Sequence, residues 1–336
     1  MRRSAVVVAL PLTCALLASG CSGKSGGGDD DLQIVANPVA ATAPASPQPT
    51  VPPAGTVLGS SGVKAMATDA SSGTLVVAVD GAVLLYRLDD LSAAPARVPV
   101  SGAVEQLSAS GGQALATIPS QGKVTRIALP SGQTSDLTVA GQPADAVAEG
   151  GQTLVAVRDR KAVEVFDEGG KPVKTIEGGL YSADEVLQAN NGHTVVLDRL
   201  RTAVFSVDVA GGSVGEGLRA GDGATNAVAD SFGRVLVTDT RAGALLAFST
   251  DPLLLRQMYP VPGGAYAIAY DSGRNLAWVT LTGRNEVVGF DVKGGEPVEK
   301  YRFATVRQPD SVTVDEKTSR VVVGSATGEG IQVIQP

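Results

Sequence analysis

The sequence predicts an all-β chain folded as a seven-bladed β-propeller, and three observations predict it. Most of the chain repeats with a period near 40 residues, each period contains strand signals alone, and an unassigned N-terminal strand matches a gap in the last repeat. Hydrophobic residues make up 43% of the 336 residues but aromatic ones only 4%. Small aliphatic side chains must therefore fill the interior, which suits many similar layers better than one core with large anchors.

The N-terminus comes first. Arg2 and Arg3 precede an apolar run over residues 4–18. A membrane-crossing helix needs about 20 apolar residues, whereas a secretory signal has a shorter h-region of this kind. The following Leu17-Ala18-Ser19-Gly20-Cys21 resembles the lipobox of bacterial prolipoproteins. That resemblance implies removal of residues 1–20 and a diacylglyceryl group on the sulfur of Cys21, with further acylation such as palmitate. The expected location is the extracytoplasmic face of the cell membrane, lipid-anchored in the envelope. Residues 21–54 run from Gly-rich through acidic to Ala/Pro-rich without periodicity, the composition of a disordered tether.

The propeller is expected over residues 55–336. Its seven units each begin with an apolar strand, a turn rich in Asp, Asn, Ser or Gly, and a second apolar strand. Examples are "VKAMATDASSGTLVVAV" (63–79), "PADAVAEGGQTLVAV" (143–157) and "QPDSVTVDEKTSRVVVG" (308–324). Aligned on the first strand, the central apolar residues are Met66, Leu107, Val147, Val186, Val228, Ile268 and Val312, spaced 41, 40, 39, 42, 40 and 44 residues apart. A third strand follows in every unit and a more polar fourth in six of them. The seventh unit lacks a fourth strand, and "GTVLGSSG" (55–62) has no place in the count. Pairing of this segment with 330–335 would cover an apolar edge that is otherwise open.

The stretch "LAWVTLTGRNEVVGFDV" (276–292) resembles the YVTN repeat, and "PDSVTVD" (309–315) its entry strand. Over residues 55–336 this resemblance implies a seven-bladed, YncE-like propeller, of the plan shared by LppL-like lipoproteins of actinobacterial envelopes. Where the family has Asn after Val-Thr, this chain has Asp239 and Leu281, so any role of that Asn does not carry over.

Two residues before each central apolar residue the first strand enters the mouth of the central channel. Those positions are Lys64, Glu105, Asp145, Asp184, Asn226, Tyr266 and Asp310. Glu105, Asp145, Asp184, Asn226 and Asp310 offer an arc of oxygen ligands for a cation such as calcium, or for a cationic ligand. Equally, they can pair with a collar of arginines in the loops of the same face: Arg158, Arg160, Arg199, Arg201, Arg241 and Arg284. The sole histidine, His193, falls in a hairpin on the opposite face, and Cys14 and Cys21 are the only cysteines. Catalysis by Ser-His-Asp or Cys-His therefore has little to work with. Gly211-Gly212-Ser213-Val214-Gly215 matches a nucleophile elbow in letters only, since it lies between outer strands.

Without residues 1–20 the chain carries 25 basic and 34 acidic side chains, a net charge of −9 that disfavours nucleic acid as a partner. The expectation is a binding or scaffold module for an envelope protein, glycan or small ligand, with no catalytic residue assigned. The alternative is a metal-assisted hydrolase or lactonase at the acidic mouth, since the YVTN-like folds it resembles include lactonases.

Overall fold

The computed structural model describes residues 37–336; the signal segment, Cys21 and the first part of the tether lie outside the described residues. Seven antiparallel four-stranded sheets form the blades of a ring. Blades 1 to 6 are continuous in sequence, over residues 65–99, 107–138, 143–177, 185–219, 224–260 and 265–304. Blade 7 takes three strands from residues 309–334 and its fourth, Thr56–Leu58, from the other end of the chain. That strand pairs as Thr56↔Val333, Val57↔Gln332 and Leu58↔Ile331. The apolar terminal strand is thus covered, as the repeat count predicts.

Each blade has two apolar faces, because its middle strands are buried throughout, as in Thr74–Val79 and Leu276–Leu281. The buried residues accordingly fall into seven clusters, one at each junction between neighbouring blades. The junction of blades 7 and 1 is sealed by Val322 and Ile331 against Leu75, Val77 and Tyr86. Valine, alanine and leucine fill nearly all of these layers. The largest aromatic group lies between blades 6 and 7, where Trp278 stacks on Tyr301 at 5.7 Å and on Phe303 at 6.2 Å. Gly289 makes room for it, since a Cβ there would lie 2.9 Å from the indole.

The turn-rich Asp of the repeat also has a local cause. Asp69, Asp230, Asp271 and Asp315 close the first strands of their blades, and their carboxylates accept N–H groups of the following turn, from Ser72, Phe232, Arg234, Arg274 and Lys317. On the mouth face the fully buried Asp239 accepts from Asp222, Gly223 and Ala242. Asp239 thus supplies a carboxylate that fixes two loops.

The expected disordered tether requires correction over its second half. Residues 38–54 lie as an extended strap along the mouth face of blades 5, 6 and 7. Ser46 is buried; its Oγ donates to Thr282 O at 2.6 Å and its N–H to Gln308 Oε1 at 2.9 Å. Gln308 Nε2 donates to Pro44 O (3.0 Å), and Asn285 Nδ2 to Pro47 O (2.9 Å). Gly264 leaves space for Pro44, whose Cγ would stand 2.5 Å from a Cβ at that position. The composition that reads as disorder here is a proline-stiffened peptide whose carbonyls are satisfied by the propeller.

Gln332 ties the strap to the closing blade. Fully buried, it accepts from Val306 N–H (3.0 Å) and donates to Ala54 O (2.7 Å) and Ala304 O (2.9 Å). Replacement by leucine of similar size removes the side-chain partner of the Val306 N–H and of Ala54 O, while Ala304 O keeps the Ala54 N–H. Gln332→Leu is expected to lower unfolding stability by about 2–4 kcal/mol; equilibrium denaturation that detects no loss would show the seam does not depend on it.

Candidate functional site

The seven predicted mouth residues all border the central channel, which encloses about 530 Å³. Below the mouth its wall is aliphatic, with Met66, Leu107, Val147, Val228, Ile268 and Val312 contributed by the first strands. The mouth itself is polar, and Glu105, Asp145, Asp184 and Asn226 are engaged with groups of neighbouring blades.

One set of contacts stitches consecutive first strands together. Asp145 Oδ2 accepts the N–H of Val186 at 3.0 Å, Glu185 Oε2 accepts that of Ala227 at 2.8 Å, and Asn226 Nδ2 donates to Tyr266 O at 3.0 Å. Blades 3, 4, 5 and 6 are linked in turn by the same device. Glu185, which the alignment on apolar residues passes over, is thus the blade-4 counterpart of Asp145 and Asn226. Asp184 is not. The signal was present in the spacing of 39 residues into blade 4, which becomes 40 when Leu187 replaces Val186 as the reference residue.

Arginines form the second set of contacts. Arg199 Nη2 donates to Glu185 Oε1 at 2.6 Å and to Asn226 Oδ1 at 3.2 Å. Arg158 bridges blades, its Nε on Asp184 Oδ1 at 2.7 Å and its Nη1 on Glu105 Oε2 at 3.1 Å. Asp184 also accepts the Arg199 N–H (2.8 Å) and the Ser182 hydroxyl. Asp310 stands apart in blade 7, where both its oxygens accept from Gln308 Nε2, at 2.9 and 3.2 Å. Acid ring and arginine collar therefore meet at Arg158 and Arg199 only. Arg160 turns to Glu164 and Glu177.

Burial shapes the charge of this wall. It pushes the Asp145 carboxyl up to about 8, with Glu185 adding to the effect. Glu185 is also raised by burial, in spite of Arg199, and Asp310 is raised to about 6. The charged form of Asp145 is thus disfavoured at this position. Among the described residues no group of three His, Cys, Asp or Glu side chains is placed to hold a metal ion. Glu105, Asp145, Asp184 and Asn226 of the expected arc make separate inter-blade contacts, whereas Asp310 bonds within blade 7.

On the opposite face a groove of about 890 Å³ runs beneath blades 3, 4 and 5. It contains His193, whose Nε2 lies 3.5 Å from the Asp251 carboxylate, both side chains being open to solvent. This agrees with a turn histidine on the face away from the mouth.

No protein-family model matches the chain, and no curated protein matches it in sequence. Among solved structures the fold is similar to the hydrazine synthase of Kuenenia stuttgartiensis, at 15% identity and a TM-score of 0.71 over 84% of this chain and 98% of that one. It is similar also to a catalytically inactive virginiamycin B lyase from Staphylococcus aureus determined with quinupristin, at 12% identity, TM-score 0.71, and 84% and 98% coverage. A chain of the mitotic checkpoint complex aligns over 94% of this chain and 99% of its own, at 9% identity and a TM-score of 0.71. At such identities these likenesses show a shared β-propeller fold.

A carboxyl raised in the folded state binds its proton more tightly there than in the unfolded chain. Its cost to stability is absent below about pH 4 and grows as pH rises towards 8. Asp145→Asn keeps an oxygen for Val186 and removes the titration. The variant is expected to gain on the order of 1 kcal/mol or more relative to wild type at pH 9, and little at pH 4. Parallel pH dependence of the two melting curves would show that Asp145 does not titrate in this way.

Proposed function

We propose that this chain is a lipid-anchored, extracytoplasmic propeller of the YVTN type that serves as a binding or scaffold module for an envelope protein, glycan or small ligand. The observation that carries the binding reading is the state of the mouth. Its acidic groups hold neighbouring backbones and arginines, which leaves a preformed pocket with aliphatic side chains below a polar rim and, among the described residues, no group of three side chains placed as a metal cage. Preformed concavities that combine apolar wall and placed polar groups suit ligand capture. The lipobox-like sequence ending in Cys21 supports the anchor, and the scarcity of histidine and cysteine supports a role without covalent catalysis.

The metal-assisted alternative makes a distinct demand. A site filled in the native state at 100 times its dissociation constant stabilises it by about 2.7 kcal/mol. Titration with calcium, manganese or zinc is expected to leave the melting temperature unchanged. A rise that disappears in Asp145→Asn or Glu185→Gln would favour the hydrolase instead. For the anchor, Cys21→Ala is expected to release a folded protein from the membrane fraction or leave it unprocessed; normal processing with full membrane retention would refute lipidation.

A further inference from the structure

At the channel mouth Asp310 carries a carboxylate that no cation accompanies. The other charges there are matched: Arg158 pairs with Glu105 and Asp184, Arg199 with Glu185, and Lys64 with Asp80 at 3.4 Å. Among the described residues no basic side chain pairs with Asp310, and the donors that face it are neutral. Gln308 Nε2 reaches both its oxygens, at 2.9 and 3.2 Å, and the Thr282 hydroxyl stands beside it. Burial accordingly raises this carboxyl, with no cation acting against the shift. Asp145 also lacks an ion-pair partner, but its carboxylate is bonded to the Val186 N–H and feels Arg199.

Asp310 is held in place. The first strand of blade 7 shifts register between Pro309 and Ser311, so Asp310 has no partner on the second strand, and it borders the channel. Gln308, which grips the carboxylate, has a left-handed backbone (φ 54°), and its amide is itself fixed to the strap at Pro44 O. Around Asp310 the channel wall includes Val312 of the same strand, Ile268 of blade 6 and Met66 of blade 1. Tyr266 of blade 6 borders the same corner, within electrostatic reach of Arg199, Asp310 and Glu185. Lys64 borders it too, but is engaged by Asp80, a carboxylate 79% exposed to solvent.

We propose that the channel binds an organic ammonium compound, its cationic head between Asp310 and Tyr266 and its apolar part against Met66, Ile268 and Val312. A divalent ion needs several oxygens to replace its hydration shell, which one carboxylate does not supply. An ammonium group on an apolar body needs a single carboxylate. Its charge compensates the buried anion through charge-assisted hydrogen bonds, and its body displaces water from the aliphatic wall. The proposal rests on the reading of the channel as a ligand pocket and adds the class of ligand that the pocket takes.

The methionines make the test site-specific. Apart from an initiator, residues 21–336 with Cys21→Ala contain Met66, in the channel wall, and Met258, 63% exposed on the outer strand of blade 5. With both methyl groups isotopically labelled for NMR, the protein is titrated with hexylammonium, 1-hexanol and hexanoate, probes of one chain length and different charge. Hexylammonium is expected to shift the Met66 resonance and not that of Met258, binding about tenfold or more tightly than hexanol, with hexanoate weakest. Asp310→Asn should abolish the preference for the ammonium and leave hexanol binding within about twofold of wild type. The charge series in the wild-type protein decides the matter if that variant fails to fold. Equal affinity for ammonium and alcohol, or a preference that survives in Asp310→Asn, would overturn the ammonium site while keeping the channel as a ligand pocket. Silence of Met66 towards all three probes would refute both.

Discussion

A sheet of four short strands with both faces apolar is unstable alone, and a row of such sheets always has two bare ends. Closing the row into a ring removes both ends at once, and every other feature of this molecule depends on that closure. The seven inter-blade clusters are its direct expression: each blade is the solvent shield of two others. Because the same small gap recurs seven times, small aliphatic residues fill it and the low aromatic content follows. The single aromatic stack, around Trp278, requires a glycine opposite it.

The ring also explains why polar side chains of the mouth reach across to the next blade. First strands of adjacent blades run side by side around the channel without sharing a ladder, so some of their backbone groups need partners from the neighbouring blade. Asp145, Glu185 and Asn226 supply them. Acids placed there for architecture become costly when charged, and burial and mutual repulsion move their protonation towards neutral pH.

Legibility from sequence followed the kind of interaction involved. Blade number and strand exchange depend on period and apolar pattern, which are local and repeated; hence Thr56–Leu58 could be assigned to blade 7 by default. Asp184 and Glu185 are adjacent, and only their hydrogen bonds tell which faces the next blade, so the apolar alignment selected the wrong one. The strap was misread for a different reason. Residues 38–54 have no periodicity because they are not part of the repeat, and their order derives from Gln308, Asn285 and Gln332, far away in sequence. Proline-rich composition shows that a segment builds no core of its own, not that nothing holds it.

The exchanged strand has a bearing on how such a ring comes into being. Ala54 and Gln332, which hold the seam together, are 278 residues apart. A chain made or exported from its N-terminus presents the strand at 56–58 long before its partner exists. Blades 1 to 6 can each assemble from contiguous sequence as they emerge, yet the seventh must wait for both ends. Completion of the molecule is thus reported by one late meeting, and a chain truncated even a few residues early would leave its first strand with nothing to join.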